Sequence, residues 1–173
     1  VNPTSVAPAK PSPREASTRF TPSALYRVVS IAEAITWTIL ITVMVLKYGF
    51  GIEGWYTFTG GLVHGFVFIT YGASVIVVGL NQRWPIGRIL FGIVTAIVPY
   101  ATVPFDLWLE KRKHLVGQWR TEKTDDPRDA GWVDTLLRWF LKHPLLLGTV
   151  MILAVIAVVS VLLILGPPGE WGK

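Results

Sequence analysis

The sequence predicts an all-α membrane protein of about four transmembrane helices plus one interfacial amphipathic helix. Three observations carry this. Residues 145–165 form an uncharged apolar run, and a helix of roughly 20 such residues spans a hydrocarbon core about 30 Å thick. Runs 28–47, 60–80 and 88–107 have similar length and apolarity, each with one or two ionisable groups. The chain is 51% hydrophobic with 173 residues, so spans use up about half of it and leave no room for a separate soluble catalytic domain. The net charge of +5 fits Lys and Arg flanking membrane helices. No basic, aromatic-interleaved face outside the spans points to nucleic acid. With no cysteine, thiolate iron–sulfur ligation, c-type haem attachment, disulfides and lipoprotein acylation are excluded.

Residues 1–22 carry Pro3, Pro8, Pro11, Pro13 and Pro22 among Ala, Ser and Thr. Such a composition predicts a flexible tail, or a strap that orders on a partner. The first apolar run is too long and too poorly flanked for a cleavable signal peptide. It ends at Lys47, before a loop 48–59 with Gly49, Gly51, Gly54, Glu53, Trp55, Tyr56 and Phe58, aromatics suited to a membrane interface. In the second span Gly61, Gly65, Gly72 and Gly79 fall within about 60° on a helical wheel. They predict a seam for close helix packing, which lipid cannot otherwise drive.

The third span is expected over 86–109. It contains Pro99 and Pro104, which predict a bend; a re-entrant segment is the alternative, but the length favours a full crossing. The first three spans form a core, 23–112. The connection 113–144 begins charged and turn-rich. It then becomes periodic: Trp132, Val133, Leu136, Leu137, Phe140 and Leu141 take one helical face, and Asp134, Thr135, Arg138 and Lys142 the other. This predicts an amphipathic helix over 131–143 in the headgroup plane or on a partner. Pro144 ends it, the fourth span follows at 145–165, and 166–173 is a short tail.

Four crossings put the N-tail, loop 81–88 and the C-terminus on one face, A. Loop 48–59 and the connection from 110 to 144 fall on the other, B. Positive charge then lies on both faces: Lys10, Arg14, Arg19, Arg27, Arg83, Arg88 and Lys173 on A, and Lys47, Lys111, Arg112, Lys113, Arg120, Lys123, Arg128, Arg138 and Lys142 on B. The flanks of the first helix and the short loops favour a cytoplasmic face A and N-terminus in a bacterial plasma membrane; the basic connection argues against it.

The polar residues inside the spans are the specific clues. Glu33 lies about a turn and a half into the first span, sharing a side with Ser30, Thr36 and Trp37. A carboxylate there must be paired, protonated or wet. Arg88, at the start of the third span, is its expected partner; a proton or ion relay is the alternative. His64 lies near the face-B end of the second span, with Tyr71 on the same helical face. Asp106 and Lys47 are expected to converge on it. The expected role is structural, a histidine oriented by Asp106; a haem or metal ligand is the alternative. No paired carboxylates, nucleophile–base pair or phosphate loop appears, so no enzyme chemistry and no cofactor or metal is expected.

With these residues in place, the stretch 26–112 resembles a family of small bacterial membrane proteins, the domain of unknown function numbered 3817. The resemblance rests on Tyr26-Arg27, Leu46-Lys47-Tyr48, and Gly61-Leu62-Val63-His64-Gly65 followed by Phe68 and Tyr71. It continues through Arg83-Trp84-Pro85-Ile86-Gly87-Arg88 and Ile97-Val98-Pro99 before an acidic residue. Actinobacterial members resemble it most. They stop after three spans, so the connection and the fourth span are a departure, and the family supplies no catalytic residues to carry over. A looser resemblance in size and type is to accessory subunits of actinobacterial respiratory supercomplexes joining cytochrome bc to cytochrome oxidase.

Three functions compete. The first is a non-enzymatic accessory subunit bound to membrane lipids and to other integral membrane proteins, among them cytochrome bc or cytochrome oxidase subunits. The second is a small oligomeric transporter or channel lined by Glu33 and His64. The third is a haem- or quinone-binding subunit using His64.

Overall fold

The computed structural model describes residues 21–166. The expectations for the Pro-rich tail up to residue 20 and for residues 167–173 lie outside that range. Thr21 caps the first helix, α1 (Pro22–Phe50), by accepting the Ala24 amide at 3.1 Å, and Pro22 occupies the first turn, where its missing N–H costs nothing. Helix α1 therefore starts at the last proline expected in the tail. It ends where Gly51 takes a left-handed conformation, which glycine adopts without strain. Helix α2 (Trp55–Asn81) returns alongside it. Both are long and apolar enough to cross a membrane, as is the last helix, α6 (Pro144–Leu165).

The third apolar run does not form one crossing helix. It is split into α3 (Ile86–Thr95) and α4 (Thr102–Lys111) by a turn at 96–101. Pro99 lies in that turn and Tyr100 has a positive φ of 66°. Proline cannot continue the helix, and it drives the residue before it out of the α region. The two arms run antiparallel. At their base, the Trp84 indole donates to the His114 carbonyl at 2.9 Å. At their tip, the Trp37 indole donates to the Ala96 carbonyl at 3.1 Å, and Tyr100 Oη lies 3.3 Å from the Thr38 hydroxyl. Trp37 is about halfway along α1. Each arm of 10 residues is about 15 Å long, half a hydrocarbon core. The segment expected to cross is thus a re-entrant hairpin.

This corrects the expected alternation of faces. The connection from Lys111 to His143 lies beside the start of α1 and the end of α2. Arg120 shows this directly, donating to the Leu80 and Asn81 carbonyls at 2.8 and 2.7 Å, a cationic cap on the α2 C-terminus. Helix α6 then runs antiparallel to α2. Its first turns share a pocket with Leu25 and Val77, and Val158 lies near Phe68 and Ile69. Among the described residues, Arg27, Arg83, Arg88, Lys111, Arg112, Lys113, Arg120, Lys123, Arg128, Arg138 and Lys142 all fall on one side, against Lys47 on the other. The charge conflict of the four-crossing reading disappears.

The core is a cluster of Tyr26, Val29, Tyr71, Val75, Val78, Trp84, Ile89, Phe105 and Leu109, formed where the hairpin covers the lower halves of α1 and α2. The expected glycine seam is only partly used. A Cβ on Gly79 would come 2.7 Å from Ile89, but Gly61, Gly65 and Gly72 face open space. The close approaches run instead through Gly60, against Val43 and Ile39, and Gly92, against Val75 and Phe105. The stripe of α2 that packs inward is Gly60, His64, Tyr71, Val75 and Val78, rotated one residue, about 100°, from the glycine stripe.

An amphipathic helix forms as expected, α5 (Trp132–Lys142). It buries Leu137 and Leu141, but Arg138, expected on the polar face, is buried too. It is drawn in by Asp129, whose carbonyl accepts from Arg138 at 2.6 Å. Helix α6 is held lightly, with only Val155 fully buried.

Candidate functional site

One face of α1 presents Tyr26, Arg27, Ser30, Glu33, Thr36 and Trp37 to α2 and the hairpin. Their spacing of three to four residues places them in a row along the helix. The outermost layer is Arg27, which donates to Asp106 at 3.3 Å and also pairs with Glu110. Asp106 is 5% exposed at its side chain and Glu110 54%, so the pair seals the row at the hairpin base. Next come three hydroxyls in series: Tyr26 Oη lies 2.8 Å from Tyr71 Oη, which lies 3.0 Å from Thr95 Oγ1, which donates to the Gly92 carbonyl at 2.6 Å. Each has one proton, so Thr95 donating to Gly92 fixes the direction: Tyr26 to Tyr71 to Thr95.

Deeper, Glu33 is fully buried. Thr102, in the first turn of α4, donates to Glu33 Oε2 at 2.8 Å and reaches the Ser30 carbonyl at 3.2 Å. The other carboxyl oxygen, Oε1, and the buried Ser30 hydroxyl have no protein partner. Deepest is His64, whose Nδ1 lies 3.1 Å from the Thr36 hydroxyl, with the Trp37 ring 4.6 Å away. Beyond His64 toward the loop 48–59, neither α1 nor α2 supplies an acid or base before Lys47.

The structure brings Glu33, His64 and Asp106 into one row, but not with the expected partners. Arg88 stands at the hairpin base and makes no ion pair with Glu33; Thr102 takes its place, because the returning arm lays α4 against α1. Asp106 is turned to Arg27, not to His64, since the re-entrant topology puts it at the level where α1 begins. Lys47 pairs with Glu53 at 3.1 Å, across the opposite end of α1 from Asp106. Sequence reasoning passed over Thr102 and Thr95, neutral residues inside an apolar run. The signal was present in Pro99, inside the break that aims them inward, and in Pro104, in the first turn of α4.

A second polar centre lies in the connection. Asp129, 1% exposed, accepts from Arg83 at 2.5 Å and Arg120 at 3.0 Å, and its carboxylate lies in ion-pair contact with Arg138 at 3.2 Å. It also accepts from the Thr124 amide and hydroxyl at 2.8 and 2.6 Å. The Thr124 bonds, then Arg83, hold its carboxyl well below the usual carboxylate range. Asp126 is held down likewise by Arg128 and then Arg83. Together they staple the 3-10 turn Pro127–Ala130 and α5 to the end of α2. No group of three or more His, Asp or Glu side chains that could hold a metal converges among the described residues.

What the arrangement can do is hold the hairpin seated against α1 and α2. Comparison with known proteins adds the family. A Streptomyces coelicolor protein named as a membrane protein is 30% identical over 93 residues, which is 50% of this chain and 10% of that protein. The chain thus spans about a tenth of that relative's length. No solved structure matches. The model of the domain of unknown function DUF3817 matches residues 23–111, from the first turn of α1 through the end of α4, which takes in the whole re-entrant unit and its polar row; the chain belongs to this family of membrane proteins.

Proposed function

We propose that this chain is a non-catalytic accessory subunit that packs against another integral membrane protein. The observation that supports the reading is the open glycine face of α2. Gly61, Gly65 and Gly72 lie on one stripe with nothing within 4 Å of their Cβ positions. In lipid, such a stripe gains nothing from burial of apolar area and favours close approach of a second helix. The lightly held α6 and the exposed Trp132, Leu136 and Trp139 of α5 add further surface. We place the connection side in the cytoplasm of a bacterial plasma membrane, on the one-sided distribution of Lys and Arg.

Gentle detergent purification from the native membrane tests this. Unaltered protein should bring down a defined membrane complex, and Gly65→Leu should lose it while keeping the thermal stability of the chain. Equal capture by both would sink the reading. Native gels of a deletion strain test the narrower proposal that the partner is the cytochrome bc–cytochrome oxidase assembly.

A second reading, a transporter lined by Glu33 and His64, draws support from the unpartnered Glu33 Oε1 and Ser30 Oγ. Solute flux into liposomes by purified protein, abolished by Glu33→Gln, would put it first.

A further inference from the structure

The outer face of the hairpin is left uncovered by the rest of the chain. Between its arms runs a groove of about 480 Å³ lined by Phe91, Thr95, Ala101, Pro104, Phe105 and Trp108. The groove ends at a cluster of cations. Arg88 stands one turn before Phe91 on α3, and Arg112, which caps the C-terminus of α4, donates its amide to the Trp108 carbonyl one turn back at 2.9 Å, so each shares a face with a groove residue. The His114 ring lies 5.4 Å from the Trp108 ring, and the His114 carbonyl ties this corner to Trp84 at 2.9 Å.

The cluster lacks counter-charge. Arg27, Arg83, Arg120, Arg128 and Arg138 all have carboxylate partners; Arg88 and Arg112 have none among the described residues. The acids of α4, Asp106 and Glu110, lie on its other flank against Arg27. Burial, then the charges of Arg88 and Arg112, push the His114 imidazole below its ordinary pKa, so both guanidinium fields are felt at one point. The arms are about 15 Å long, the depth of one leaflet's hydrocarbon. Their base sits at headgroup level, because a re-entrant hairpin enters and leaves there.

We propose that this face binds an anionic phospholipid of the leaflet on the connection side. Its phosphate sits among Arg88, Arg112 and His114, and one acyl chain lies along the groove between Phe91 and Trp108. Charge complementarity selects the occupant. A zwitterionic lipid fills the groove but brings its own cation to the cluster, and a free anion neutralises the cluster but leaves the groove bare.

The test uses the full chain in neutral detergent, titrated with phosphatidylglycerol or phosphatidylcholine and read by native mass spectrometry and by unfolding temperature. Phosphatidylglycerol should be retained at roughly tenfold lower concentration, with the preference fading at high salt as an exposed charge contact requires. Arg88→Gln with Arg112→Gln should cut the preference to about twofold or less, whereas Lys142→Gln, a cation of α5 on the same side, should leave it unchanged. Ala101→Trp, which fills the groove, should weaken both lipids while leaving the cations in place, and it keeps the test decisive if the double variant folds poorly. Equal retention of the two lipids by the unaltered protein overturns the proposal. So does full preference in the double variant, or complete displacement of phosphatidylglycerol by inorganic phosphate, which would make the cluster a site for a free anion.

Discussion

The Thr102 hydroxyl lies 2.8 Å from Glu33 Oε2, fastening the returning arm of the hairpin to α1 at a fully buried carboxyl. Removing one partner of a buried hydrogen bond leaves the other unsatisfied, at about 1–3 kcal/mol. Thr102→Val should therefore destabilise by about that amount. Thr102→Val combined with Glu33→Leu should cost less than the sum of the two. Glu33→Leu and Arg88→Ala should be additive, because the two side chains do not meet. Thermal unfolding of the variants in one detergent checks all three, and strong coupling of Glu33 to Arg88 would contradict the observed geometry.

Glycine positions should sort by the stripe they occupy, not by their motif. An alanine Cβ at Gly92 would lie 2.9 Å from Val75 Cγ1 and 3.1 Å from Phe105, so Gly92→Ala should overpack the hairpin against α2 and cost about 1–3 kcal/mol. Gly61→Ala and Gly65→Ala meet open space and should stay within about 0.5 kcal/mol of the unaltered chain. Unfolding temperatures of the three purified variants check the order.

The helices were legible in the sequence because apolar length and periodicity are local properties. What hydropathy cannot separate is one crossing from a half-depth hairpin of the same total length, since both bury the same apolar residues in the same solvent. Residues 86–111 could be read either way, and Pro99 and Pro104 fit a bent span as well as a reversal. The error propagated. Placing Asp106 at the far face predicted it near His64 and Lys47, whereas the reversal returns it to Arg27. The identity of the buried polar residues was legible, because Glu33 and His64 are conspicuous in apolar runs. Their partners were not, because pairing depends on which arm lies against α1. Asp129 was missed for another reason: in sequence it is one acid among several in a charged loop, and only the fold shows three arginines aimed at it.

Protonating that carboxyl should loosen the connection. The folded-state pKa values of Asp129 and Asp126 are depressed, so the unfolded chain takes up protons first as pH falls. The stability they contribute is complete above the unfolded value of about 3.9 and is lost as pH drops through the folded values. Unfolding temperature should hold between neutral pH and about 5, then fall. Asp129→Asn should lower it at neutral pH and flatten the acid slope, and Asp125→Asn, an exposed neighbour, should do neither.

The re-entrant hairpin makes a prediction about sidedness that four crossings would reverse. The chain has no cysteine, so single cysteines report cleanly. With α3 and α4 turning back halfway, the connection must share a side with the start of α1, and the loop between α1 and α2 must lie opposite. Ser23→Cys, Lys113→Cys and Lys123→Cys should therefore react together with a membrane-impermeant thiol reagent from one side of sealed vesicles, and Gly54→Cys from the other. A full third crossing would instead move Lys113 and Lys123 to the Gly54 side. The one-sided charge distribution supports the first outcome, because eliminating that crossing moves every Lys and Arg from 111 to 142 onto the side of Arg27 and Arg83. Labelling of Lys123→Cys together with Gly54→Cys would overturn the hairpin. It would also undo the Arg27–Asp106 pair, since no crossing helix could return Asp106 to the first turns of α1.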